Sequence, residues 1–163
     1  MSSQSLFEQL VCLFETHKRQ LYVAALAITR ERSSAEDAVQ DAVLAISELK
    51  TNPLDLKAYL FRTVRNKALH CIKQSQRFKA DTDASSFIDT NNCSAEQIVL
   101  ASQVTEHLST LDSNQQQVII MKLFAGFTFQ QIATITESSP NTVASWYRRG
   151  LKQLKEKIHE YQD

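Results

Sequence analysis

Glycine and proline together occupy only four of 163 positions, two of each. A chain so poor in these residues has few ways to reverse direction tightly. Sandwiches and barrels need a turn residue roughly every eight to twelve positions, so the sequence argues against an all-β fold. The length fits one ordinary domain or two small ones. Hydrophobic residues make up 43% of the chain, enough to bury a core. No apolar run approaches the roughly 18 residues of a membrane span. Met1-Ser2-Ser3-Gln4-Ser5 lacks the charged and apolar regions of a signal peptide. A cytoplasmic protein without membrane insertion is expected.

The formal net charge is zero, with 18 basic and 18 acidic residues. Neutrality would argue against a nucleic-acid partner if the charges were evenly spread, and they are not. Residues 1–79 carry 12 basic and 8 acidic groups, residues 80–112 carry none and 6, and residues 113–163 carry 6 and 4. The chain therefore has two basic ends and an acidic middle, which suggests parts with different partners.

Cys12, Cys71 and Cys93 are widely spaced and form no C-x-x-C pair. They do not suggest a disulfide framework. His70 and Cys71 are adjacent, but neighbours on a helix diverge by about 100° and rarely share an ion. No metal and no cofactor are expected. There is no glycine-rich phosphate loop and no nucleophile elbow, so an enzyme is the weakest reading.

The periodicity is helical throughout and predicts an all-α fold. Leu6, Leu10, Phe14, Leu21 and Ile28 recur at helical spacing from about 6 to 30. Ser34, with Asp37 three positions on, is the expected cap of a second helix running to about Lys50. Thr51-Asn52-Pro53 makes a loop, and a third helix follows from about Asp55 to Arg77. Residues 80–93, ADTDASSFIDTNNC, are polar and acidic and read as a linker. The expected division is a domain at 1–79, a linker at 80–93 and a second domain at 94–163. The second begins with a helix from Ser94 to Leu108 and continues with helices at about 113–125, 128–136 and 140–160. A linker of this length permits both a compact and an extended arrangement of the two domains.

Three surfaces are candidates for function. On the second helix, Ala38, Val39, Ala42, Val43, Ile46 and Leu49 form a stripe suited to burial. The opposite side shows Glu36, Asp37, Gln40, Asp41 and Leu44. A solvated acidic face is the bland explanation. Leu44, an apolar side chain among acids, instead suggests a docking patch. On the third helix, Leu60, Val64, Ala68 and Cys71 point one way, while Arg62, Arg65, Asn66, Lys73 and Arg77 point the other. Seven basic residues and no acidic one lie between Lys57 and Lys79. A solvated basic face normally intersperses Glu for i, i+4 pairs, so a polyanion partner accounts better for this one.

The third surface is at the C-terminus. Gly126 stands where a helix ends in left-handed geometry. Thr128 is the expected cap of a short helix, and Ser139 followed by Pro140 starts the last one. Two helices joined by about four residues describe a helix-turn-helix. In the last helix Val143, Tyr147, Leu151, Leu154 and Ile158 are expected to face the core. Asn141, Ser145, Arg148, Arg149 and Lys152 face out, with residue types that bond base edges and phosphates. Trp146 lies at the margin, where partial burial is the commoner outcome.

Taken in order, these stretches resemble parts of the bacterial RNA polymerase sigma factors of the extracytoplasmic-function (ECF) group. Ser34-Ala35-Glu36-Asp37-Ala38-Val39-Gln40-Asp41 resembles that group's core-polymerase-binding motif. Ala58 to Leu69, AYLFRTVRNKAL, resembles its promoter-melting helix. Leu111, Gln131-Ile132-Ala133 and Ser139-Pro140-Asn141-Thr142-Val143 resemble its C-terminal helix-turn-helix. Tyr59 stands where the group usually has Trp, His70 where Asp is common, Gln131 where Glu is frequent and Trp146 where Arg is frequent. The last of these departures bears on promoter sequence.

The resemblance implies a division of labour. Glu36, Asp37, Gln40, Asp41 and Leu44 would hold core RNA polymerase. Arg62, Arg65, Asn66, Lys73 and Arg77 would contact the minus-10 region of promoter DNA. The loop from Thr51 to Leu54 would lie near a base extruded from the opened strand. Asn141, Thr142, Ser145, Trp146, Arg148, Arg149 and Lys152 would read the minus-35 element. The resemblance further implies an anti-sigma partner and a chain that is monomeric when free. The acidic middle is expected to lie against a basic face in the free chain and weaken DNA binding. Two other functions fit the residues less completely. A helix-turn-helix regulator acting without polymerase leaves the acidic patch unexplained, and a sigma-like helical adaptor would bind partners but no promoter.

Overall fold

The structure is a computed structural model and describes residues 5–78 and 106–162. The predicted linker at 80–93 and the predicted helical residues 94–105 lie outside the described residues. Helix α1 (Leu6–Thr29) opens with a capping box: the Glu8 N–H donates to Ser5 Oγ at 3.2 Å and the Ser5 N–H to Glu8 Oε2 at 3.3 Å. Regular geometry breaks at His17, where φ is −113° and ψ 15°. Beyond this kink every residue from Leu21 to Ile28 is buried. A helix buried all round must be surrounded by other elements. Here α2 and α3 pack against α1, and the C-terminal domain packs against it as well.

Helix α1 ends at Arg30, which takes a left-handed conformation (φ 56°) and donates its N–H to the Leu26 carbonyl at 2.8 Å. This tight reversal places the start of α2 (Arg32–Ser47) earlier than the sequence pattern suggests. Glu31 is the N-cap, and Ser34 lies inside the first turn rather than capping it. The hydroxyls of Ser33 and Ser34 each donate to the Glu31 carboxylate at 3.0 Å. The expected stripe packs inward, with Ala38, Val39, Ala42 and Ile46 buried and Val43 and Leu49 half-buried. After the loop containing Pro53, α3 (Leu56–Phe78) is capped by Asp55, whose Oδ1 accepts the Ala58 N–H at 3.1 Å. Leu60, Val64 and Ala68 complete the three-helix core as expected, with Cys71 half-buried at its edge.

The C-terminal domain is equally explicit about its ends. Asp112 Oδ1 accepts the Gln115 N–H at 2.9 Å and starts α4 (Ser113–Ile119). Buried Gln116 donates its amide to the carbonyls of Leu108 and Leu111, at 2.6 and 2.9 Å, tying α4 to the residues before it. Helix α4 widens into a π turn, Ile120–Phe124, closed by the Ala125 N–H on the Ile120 carbonyl at 3.2 Å. Gly126 then reverses the chain at φ 74°, as its position predicts. Thr128 and Gln131 form the capping box of α5 (Phe129–Thr136). Gln131 completes that box as well as Glu would.

Ser139 Oγ accepts the Thr142 N–H at 3.2 Å at the start of α6 (Pro140–Gln162). Val143 is fully buried, Tyr147, Leu151 and Leu154 are half-buried, and the Ile158 side chain lies outside the described residues. Helices α5 and α6 make the expected helix-turn-helix, with the Phe129 and Tyr147 rings packed edge to face at 5.4 Å. Gly150 is buried where α6 crosses α4. A Cβ there would lie 2.6 Å from Ile119 Cδ1 and 3.4 Å from Gln115 Cβ. Gly150→Val should therefore push the two helices apart and lower stability by about 1–3 kcal/mol, read from the urea midpoint.

Candidate nucleic-acid interface

Helix α6 presents its first turns to solvent because its other side is held by α4 and α5. Asn141, Thr142, Arg148, Arg149 and Lys152 are exposed. Ser145 and Trp146 are half-buried, and the Trp146 indole packs against the core. Trp146 thus meets the expectation of partial burial, and Ser145 projects less freely than its helical angle suggests. The turn between α5 and α6 includes Glu137, left-handed at φ 57°, whose N–H caps the Ala133 carbonyl.

Helix α3 carries its basic side as expected, but the side is not uniformly free. Asn66, Lys73 and Arg77 are exposed. Arg62 and Arg65 are half-buried because the C-terminal domain lies over them. Arg62 Nη2 pairs with Glu137 Oε1 at 2.6 Å, and Arg65 Nε donates to Gln117 Oε1 at 2.7 Å. Burial pulls the Arg65 pKa down from its ordinary value, while the Glu137 carboxylate opposes that shift.

Lys57 Nζ donates to the Ala125 carbonyl at 2.6 Å and sits 4.6 Å from the centre of the Phe127 ring. The Phe127 ring packs edge to face on Phe61 at 4.9 Å. Sequence periodicity missed Phe61, Phe127 and Gln117. Their signal was an apolar or uncharged residue in an otherwise outward or turn position, which has meaning only once a facing surface is known.

The outer face of α2 is as expected. Asp37, Gln40 and Asp41 are exposed, Glu36 is half-buried and Leu44 is 62% exposed. Leu44, Val43 and Gln40 line a groove of about 420 Å³ with Phe14, Glu15 and Lys18 of α1. Phe7 and Val11 of α1 are also exposed. They form a second apolar stripe with Phe14, at i, i+4 and i+7, that a search for core residues passes over. On the inner side, burial pushes the Cys71 thiol up, and Asp37 and Asp41 add to the shift. Among the described residues no three His, Cys, Asp or Glu side chains are placed to hold a metal ion. No described helix is long and apolar enough to cross a membrane.

Comparison with known proteins decides the family. Residues 13–78 match Sigma-70 region 2, and residues 102–154 match Sigma-70 region 4. The chain belongs to the sigma-70 family. The curated RNA polymerase sigma factor SigV of Bacillus subtilis (strain 168) is 24% identical over 149 residues, covering 90% of this chain and 89% of that one. The fold is that of the sigma factor RpoE from Bartonella quintana, solved in complex with the anti-sigma factor NepR. That match has a TM-score of 0.69 at 22% identity, over 93% of this chain and 94% of that one. The matches to regions 2 and 4, together with the likeness to SigV and RpoE, place this sigma factor in the ECF group, as the three sequence stretches imply. It directs core RNA polymerase to promoters.

The sigma factor also has a titratable group at the edge of the domain contact. His17 Nδ1 is buried with no hydrogen-bond partner among the described residues. Its ring lies 6.4 Å from Phe61. Burial first, and the charge of Lys57 second, hold its pKa below the ordinary 6.5. The folded chain thus keeps His17 neutral where the unfolded chain begins to bind a proton. The part of the stability that comes from holding His17 neutral is present above about pH 6.5 and is lost as the pH drops below it. Thermal melts at about pH 7.5 and 5.5 should show this loss in the native protein and a smaller one in His17→Gln.

Proposed function

We propose that the three surfaces divide the work of initiation in the way the residue types indicate. Leu44 with Glu36, Asp37, Gln40 and Asp41 docks on core RNA polymerase. Arg62, Arg65, Asn66, Lys73 and Arg77 contact the minus-10 region. The Thr51–Leu54 loop, with Leu54 fully exposed at its tip, receives a base extruded from the opened strand. Extrusion costs a few kcal/mol, which a site holding the flipped base offsets. Asn141, Thr142, Ser145, Trp146, Arg148, Arg149 and Lys152 read the minus-35 duplex.

The observation that carries this reading is Leu44. It stays exposed on the side of α2 that carries Asp37 and Asp41, while the opposite side of the same helix is packed in the core. Such a side chain gains by burial against a partner, and the acids around it select a basic one. The functional units are the segments 1–79 and 94–163, and the chain is monomeric when free. It catalyses nothing itself: polymerase makes the phosphodiester bonds, and the site of action is the cytoplasm. An anti-sigma protein, such as the one bound to the RpoE relative, would hold it inactive.

The test is reconstitution. The purified chain mixed with core polymerase should give transcripts with specific start sites from its own genomic DNA. Arg149→Ala should weaken upstream duplex binding and lower the slope of log affinity against log salt by about one, sparing polymerase binding. Asp41→Ala should weaken polymerase binding and spare the duplex. Equal defects from both variants would contradict the division of labour.

A further inference from the structure

Helix α6 starts at Pro140, so Trp146 falls at the end of its second turn. These are the turns that a helix-turn-helix inserts into the major groove. Their outward side chains are small and polar, with one exception. Asn141 and Thr142 are exposed and Ser145 is half-buried. Trp146, the one tryptophan of the chain, is the large apolar member of the set. At about 100° per residue it lies roughly 60° from buried Val143 on one side and roughly 40° from exposed Thr142 on the other. Part of the indole packs against the core. The rest is accessible between Thr142, four residues before it, and Arg149, three residues after it, both exposed.

An indole turns about only two side-chain bonds, and the core holds one side of this one. Its free edge is therefore fixed in place beside the turns that enter the groove. The neighbouring hydroxyl is less free to compete. Thr142 Oγ1 lies 2.8 Å from Ser139 Oγ, which also accepts the Thr142 N–H, so it is engaged in the cap of α6. Among the groups that distinguish bases in the major groove, one is apolar, the 5-methyl of thymine. The others are hydrogen-bond donors and acceptors. An indole edge buries a methyl group well, whereas a polar group pressed against it loses water without a partner.

We propose that Trp146 is a specificity-determining residue for thymine: the accessible edge of its indole packs on the 5-methyl group of a thymine in the minus-35 element and sets the base preference there. The outer face of α6 then divides the element by chemistry. Asn141 suits adenine, Arg149 suits guanine, and Trp146 suits thymine. A basic side chain in the same place would add a phosphate contact and the salt dependence that comes with it. Trp146 adds neither, so its share of the affinity is insensitive to salt. The inference rests on the assignment of α6 to the minus-35 duplex.

The test uses the full chain and a minus-35 duplex taken from a promoter at which the reconstituted polymerase starts. Each thymine of either strand is replaced in turn by deoxyuridine, which removes the methyl group and keeps pairing and charge. One or two positions should lose about fourfold in affinity, the loss expected for one buried methyl group. Trp146→Phe should keep this sensitivity, and Trp146→Gln should abolish it at those positions and nowhere else. In both variants the slope of log affinity against log salt should stay at its native value. Because Trp146 is the one tryptophan, its fluorescence gives a second reading on the unaltered protein. A duplex with 5-bromouracil at the sensitive position carries a heavy atom where the methyl group was, and it should quench more than bromine at any other thymine. Absence of a methyl-sensitive position, the same sensitivity in Trp146→Gln, or equal quenching from every position would overturn the proposal. If Arg149→Ala binds the duplex as tightly as the native chain does, the assignment of α6 fails and the thymine reading falls with it. If Arg149→Ala binds more weakly and no methyl group is coupled to Trp146, only the thymine reading fails.

Discussion

From Leu21 to Ile28 helix α1 is buried on every side, and both halves of the molecule are built on that segment. Eight consecutive buried residues cannot be satisfied by a three-helix domain alone, which covers one side of each helix. The remaining side of α1 is covered by α4 and its π turn. The hydrophobic core therefore runs through both domains without interruption. Burial of apolar surface, at about 25 cal/mol per Å², is the term that draws the domains together. The polar pairs between α3 and the C-terminal domain fix how they meet.

The distribution of charge has a clear purpose once the domains are placed. The basic side of α3 is divided: Arg62 and Arg65 face Glu137 and Gln117, while Asn66, Lys73 and Arg77 face water. The acids of α2 lie on a separate surface around Leu44. The chain's zero net charge is thus a sum over surfaces of opposite sign. The expected partner for the basic face was the acidic middle of the chain, most of which lies outside the described residues. The group that covers Arg62 in the structure is Glu137, from the turn that also positions the recognition helix.

Much of the fold was legible because its signals are local. Gly126, Thr128 with Gln131, and Ser139 with Pro140 act on backbone groups within three or four residues, so their effect can be read in order along the chain. The same holds for the stripes of α2, α3 and α6, which depend only on helical spacing. The cap of α2 was misplaced because Arg30 takes a left-handed conformation that its side chain does not advertise. Of the candidate surfaces, the α2 face and most of the α6 face stand as the sequence implies. The α3 face differs because its first two arginines have partners 75 and 52 positions away.

Sequence alone therefore determined the helices, most of their ends and the sign of charge on each face, since these follow from period and from short-range hydrogen bonding. It also carried the order of the three surfaces from which the sigma-70 family was inferred. Tertiary structure decided which of those faces are open. Phe61, Phe127 and Gly150 have no signal that can be interpreted locally, because their roles are set by the surface that meets them. Whether Arg62 and Arg65 face a nucleic acid or the protein's own glutamate and glutamine depends on how two domains dock. Docking depends on the shape and apolar area of surfaces assembled from distant parts of the chain.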